Sequence, residues 1–172
     1  MSKTKQIART AVLIALLVAV QYVTKGFGQF VTGSCVNLIL ALSVLSSGLW
    51  SGAAIALISP FCAFLLGIGP AFIQLVPAVA AGNVIYVVLL SLLYGKVKGC
   101  VGPYASVVIA ALAKFALLYT LIVKLLLPML GLPEQKVAVM SAMFSWPQLV
   151  TALIGGVLCV LVYPVVKKAF QK

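Results

Sequence analysis

The side chains able to do chemistry in this chain are few, and most are amines or amides set in apolar surroundings. Lys114 stands in "VIAALAKFALLY", with no other polar group in the ten residues around it until Tyr119. A lysine at the centre of a bilayer costs about 2.5–3.5 kcal/mol on insertion scales. It therefore needs a use: it meets an anionic group of a substrate, or it bonds to helix carbonyls or snorkels to the surface. Ala110 and Ala111, one turn earlier, slim that face and turn it toward a bundle interior. Lys124 lies close to Pro128 near the end of the same stretch, where its stem reaches the interface or charges an outward-facing pocket. Asn83 in "AAGN", together with Gln74, Gln148 and Asn37, adds amides in or at the ends of apolar stretches. Each amide either ties helices together or hydrogen-bonds a polar ligand, and Asn37 also suits a helix terminus. Gln74, Lys124 and Gln148 fall at one depth on three segments, as the few polar groups of a small-molecule pocket do.

The missing residue types exclude whole classes of activity. The chain has one acid, Glu134, and no histidine. Acid–base pairs, metal-ligand clusters and Ser-His-Asp arrangements cannot be assembled from that inventory. No metal, cofactor or enzymatic reaction is therefore expected. Cys35, Cys62, Cys100 and Cys159 lack CxxC spacing and read as small apolar fillers. Proton- or sodium-driven transport usually needs a buried carboxylate or histidine, and none is present in an apolar stretch. No GxxxxGK[ST] phosphate loop occurs either.

The elements that must position these groups follow from composition. The 172 residues are 65% hydrophobic and 8% charged, with a mean hydropathy of +1.28. Soluble domains are about a quarter charged, so this is an integral membrane protein with little outside the bilayer. Six apolar stretches, at about 7–24, 36–49, 53–67, 71–94, 104–127 and 147–166, predict an all-α, single-domain six-helix bundle spanning residues 1–172. The second stretch is short for a span, and Gly26 to Ser34 before it reads as a loop. Six crossings put both termini on one side with Lys3, Lys5, Arg9, Lys96, Lys98, Lys167, Lys168 and Lys172, against Lys25 and Lys136 opposite. The positive-inside rule makes that side the cytoplasm. The net charge of +11 thus reads as topology, not nucleic-acid binding. Ala11, Ala15 and Ala19 share one helix face, thin enough for a second helix backbone to approach.

In this order, these patterns resemble the substrate-binding S-component of energy-coupling factor (ECF) transporters. The resemblance rests on the alanine ladder and on "VTGSCVNLILALSVLSSGLWSGAAIALISPFCAFLLG", with Gly33, Asn37, Gly48 and Pro60. It rests also on "PAVAAGN", with Pro77, Gly82 and Asn83, and on "PQLVTALIGG", with Gln148 and Gly155. It implies a multi-pass protein of a prokaryotic-type plasma membrane, the high-affinity subunit of an ATP-driven importer for a vitamin or related micronutrient. Ala11, Ala15 and Ala19 would dock on a transmembrane T-component bound to two cytoplasmic ATPases, which hydrolyse the ATP. The ligand would sit near the outer face, among the last three helices and the outer loops, with Gly26 to Ser34 as a candidate lid. A positive pocket without acids points to a small anion, pantothenate- or niacin-like, over a thiamine-like cation. The alternative reading is a small structural or assembly membrane protein without a ligand, its alanine ladder an ordinary packing seam.

Overall fold

The structure is a computed structural model and describes residues 3–96 and 99–170, so Lys98 and Lys172 lie outside the described residues. The regular elements are all helical: α1 (Lys3–Thr24), α2 (Gly28–Ser47), α3 (Leu49–Leu65), α4 (Val76–Leu93), α5 (Gly102–Leu118), α6 (Leu127–Met129), α7 (Glu134–Met143) and α8 (Trp146–Phe170). Short 3-10 turns occupy Lys25–Phe27 and Ile73–Leu75, and a π-helical segment, Tyr119–Leu126, continues α5. Four helical stretches, 3–47, 73–93, 102–129 and 134–168, are long and apolar enough to cross a membrane, the first broken by the 3-10 turn and the last by a turn at 144–145, and Leu49–Leu65 is a shorter apolar helix.

The first stretch is a hairpin of two helices. Gly28 takes a φ of 80°, a left-handed conformation natural to glycine, and reverses the chain after the 3-10 turn. Gln6 near the start of α1 accordingly donates to the Ser47 carbonyl at the end of α2 (3.2 Å). The stretch read as a loop at Gly26 to Ser34 is therefore mostly helix. Only Lys25–Phe27 turns, and α2 has 20 residues instead of a short span. The long connection before the last helix likewise holds α7.

Side-chain bonds give the helix directions. Thr10 bonds Ser51 (2.8 Å) and Gln21 bonds the Ser59 carbonyl (3.4 Å), so α1 and α3 run parallel. Asn37 bonds Thr151 (3.4 Å) and Tyr163 donates to the Leu45 carbonyl (2.9 Å), so α2 and α8 run parallel. Tyr94 meets Tyr163 edge-on at 5.7 Å, which brings the end of α4 to the same place. The start of α1 and the end of α8 thus share one end of the bundle, with Lys3, Lys5, Arg9, Lys96, Lys167 and Lys168. Lys25 and Lys136 lie toward the other end.

The interior is built on Leu17, Leu40, Ile55, Tyr86, Val87, Leu90 and Val107. A second cluster, Leu75, Leu118, Ile122, Leu127, Met140 and Phe144, packs α7 against the π segment at the opposite end from the termini. The outer surface is also apolar, with Val12, Leu57, Leu65, Leu112 and Leu161 exposed. In water that surface would be a large adhesive patch; in lipid it is ordinary. Lipid gives apolar helices little drive to associate, so close packing at small residues and polar bonds must organise the bundle.

Candidate functional site

The site begins at Lys114. Its side chain points from α5 into the bundle and is 3% exposed. Nζ donates to Asn37 Oδ1 (2.6 Å) on α2 and to Asn83 Oδ1 (2.8 Å) on α4. It lies 5.5 Å from the centre of the Tyr86 ring, a cation–π distance. The two amides are held in turn. Asn37 Nδ2 donates to the Gly33 carbonyl (2.9 Å) and toward Thr151 Oγ1 (3.4 Å), and Asn83 Nδ2 donates to Ser59 Oγ (3.1 Å). Gln21 Nε2 reaches the Ser59 carbonyl (3.4 Å). One hydrogen-bonded chain therefore runs Gln21, Ser59, Asn83, Lys114, Asn37, Thr151, taking one residue from each of α1, α3, α4, α5, α2 and α8.

Glycines let this chain close. A Cβ on Gly82 would sit 2.7 Å from the Leu118 side chain, so a larger residue would push on α5 one turn from Lys114. A Cβ on Gly155 would meet the Ser34 carbonyl at 2.5 Å and the Leu38 amide at 2.7 Å. That contact seats α8 on the α2 backbone beside Asn37. Ala110 and Ala111 are fully buried on the Lys114 face of α5.

Above the chain lies a cavity of about 530 Å3, within the range of small-molecule sites. Lys114, Asn37, Asn83, Ser59 and Gln21 contribute to its lining, with Val36, Pro60, Val79 and Phe144 as apolar wall. None of its lining residues is acidic. Gln29 and Gln148 both donate to the Met143 carbonyl (2.7 and 3.2 Å), tying α2 and α8 to the end of α7. The rings of Phe30, next in sequence to Gln29, and Trp146, close to Gln148, meet at 5.5 Å with a 39° tilt. An ammonium has three N–H donors and two are used here, so the third is left for a group in the cavity.

Of the residues singled out from the sequence, Asn37, Asn83, Lys114 and Gln148 line this cavity. Gln74 and Lys124 do not. Both are exposed, and Lys124 lies over the Tyr119 ring at 5.6 Å. In the π segment Ile122 turns inward and Lys124 outward, and in the 3-10 turn Leu75 takes the buried position beside Gln74. Lys114 neither bonds helix carbonyls nor snorkels; its partners are side-chain amides. Gln29 and Thr32, from the stretch that the resemblance makes a candidate lid, also line the cavity, as do Gln21, Ser59 and Lys25, which the sequence does not single out. An amide inside the apolar run of the first helix was the one available signal for Gln21. Ala11, Ala15 and Ala19 are exposed on α1, while Leu13, Leu17 and Gln21 face the bundle. The ladder is thus not consumed by packing within the chain.

A family model described as ECF transporter, substrate-specific component, matches residues 5–167. No curated protein and no solved structure matches the chain.

Proposed function

This chain belongs to the substrate-specific components of ECF transporters, and we propose that it captures a small anionic micronutrient in the cavity above Lys114. Members of this family are multi-pass membrane proteins that bind a transport substrate and are not enzymes. The family implies a complex with a T-component and ATPases. The specific reading rests on one observation: the Lys114 ammonium is buried against two neutral amide oxygens, in a cavity without a carboxylate. Asn37 and Asn83 offset part of the desolvation cost and aim Nζ, but they bring no counter-charge. A carboxylate or phosphate would bring it, on the third N–H. A cation would meet like charge in a medium that screens poorly.

In this reading the chain crosses the membrane six times with its termini in the cytoplasm, as the gathering of basic residues at the termini end supports. The cavity then opens outward, and Gln148 sits at its mouth. Ala11, Ala15 and Ala19 offer the thin outer face on which the T-component docks, and ATP hydrolysis occurs in the partners. The candidate substrates are acids of pantothenate or niacin type. Gln74 and Lys124 lie outside the cavity lining.

Native mass spectrometry of protein gently purified from cells in rich medium, with denaturing release of what it holds, tests the reading. One stoichiometric small acid is the expected result. A bound cation, or an empty protein that takes up none of a panel of acidic vitamins, would overturn it.

A further inference from the structure

Gln21 is 2% exposed and lines the cavity. Its Nε2 donates to the Ser59 carbonyl, which assigns the nitrogen to that side and leaves Oε1 on the other. Oε1 is buried and has no hydrogen-bond partner. An amide oxygen accepts and never donates, and an unpaired one carries the full penalty of its lost hydration. The two asparagines of the same chain have no such vacancy, since both oxygens accept from Lys114. Among the described residues the other unpartnered buried side-chain oxygen is Ser34 Oγ, which does not line the cavity.

We infer that the substrate is an acid that also carries a hydrogen-bond donor, a hydroxyl or an N–H, and that Gln21 Oε1 receives it. The inference rests on the anion-binding reading of Lys114. Gln21 connects to Lys114 through Ser59 and Asn83, and both ends of that path line one cavity, so one compact molecule contacts both. The last torsion of a glutamine is broad, which lets Oε1 turn onto the donor as the substrate seats. The pairing selects among acids. Pantothenate carries hydroxyls and an amide N–H beside its carboxylate. Nicotinate carries no donor, its ring nitrogen being an acceptor, and would leave Oε1 unpaired. Sites with a buried polar group reject analogues that lack the matching partner far more strongly than apolar pockets reject a change of size.

The test uses the full-length protein in lipid nanodiscs. It is incubated with the deproteinised small-molecule pool of a bacterial extract and washed, and the retained compounds are identified by mass spectrometry. Gln21→Leu and Gln21→Met are run beside the wild type. The expected compound is an acid bearing a hydroxyl or N–H. Its Kd rises about tenfold or more in both variants, as for loss of one buried hydrogen bond. The variants also lose the preference for that compound over its O- or N-methylated form, a change that general loosening of the fold would not produce. Retention of an acid without a donor, or unchanged affinity in both variants, overturns the inference and leaves the anion reading standing. Retention of a cation, of a neutral molecule or of nothing overturns both.

Discussion

Exchanging Asn83 for aspartate alters the charge of the site and almost nothing of its shape. One carboxylate oxygen takes the place of Oδ1, 2.8 Å from Lys114 Nζ. The other takes the place of Nδ2, 3.1 Å from Ser59 Oγ, where the serine hydroxyl turns from acceptor to donor. No hydrogen bond is lost. The new ion pair gains Coulomb energy and costs desolvation of a second charge, and such terms roughly cancel, so stability stays within about 1–2 kcal/mol of the wild type. Binding is different. An anion approaching Nζ now meets a carboxylate already paired with it, and the charge of the Lys114 group has fallen to zero, leaving Lys25 as the cation in the lining. Loss of a close, desolvated charge contact costs about 2–5 kcal/mol, or roughly thirty- to several-thousandfold in Kd at 1.4 kcal/mol per tenfold. Trp146, two residues from the lining residue Gln148, supplies a fluorescence signal for the titration, and thermal unfolding of the same sample reports the fold. Wild-type affinity in a folded Asn83→Asp protein would refute the reasoning, because the charge on Lys114 would then not be what holds the substrate.

Lys114→Leu removes a buried charge but strands the oxygens of Asn37 and Asn83, at about 1–3 kcal/mol each. The expected result is a folded protein with a modest change in Tm and no measurable substrate binding by the same titration. Gly155→Ala drives a Cβ into the α2 backbone at the Ser34 carbonyl. Because backbone must move, it costs at least about 1–3 kcal/mol and displaces Asn37, read as a lowered Tm together with weakened binding. Ala15→Trp, on the exposed face of α1, leaves substrate affinity unchanged and abolishes co-purification with the T-component and ATPases; normal assembly would remove the ladder from the docking surface.

The depth of a residue along the bundle could be read from the sequence better than its direction around a helix. Lys114 was expected to face inward because Ala110 and Ala111 thin its side of a regular helix, and α5 is regular there. Lys124, Gln74 and Gln148 form a group in the sequence because they share a depth. A π segment and a 3-10 turn intervene, however, and each rotates side chains away from the 100° steps on which such a grouping depends. Gln21 lies three residues from the end of α1, and its partner Ser59 is 38 residues away, a pairing that no local pattern encodes. The start of α2 escaped for another reason. Three glycines, Gly26, Gly28 and Gly33, and a polar run read as a loop, yet of these only Gly28 takes a left-handed backbone, and Gly33 serves close packing against Thr151.

The central claim is that a substrate anion completes the coordination of Lys114. The most direct measurement is a crystal structure of the protein with its co-purified small molecule retained. The account predicts a carboxylate or phosphate oxygen within hydrogen-bond reach of Nζ, with Asn37 and Asn83 still holding the other two donors. A molecule seated elsewhere, or one that turns a cationic or wholly apolar part toward Nζ, would contradict it.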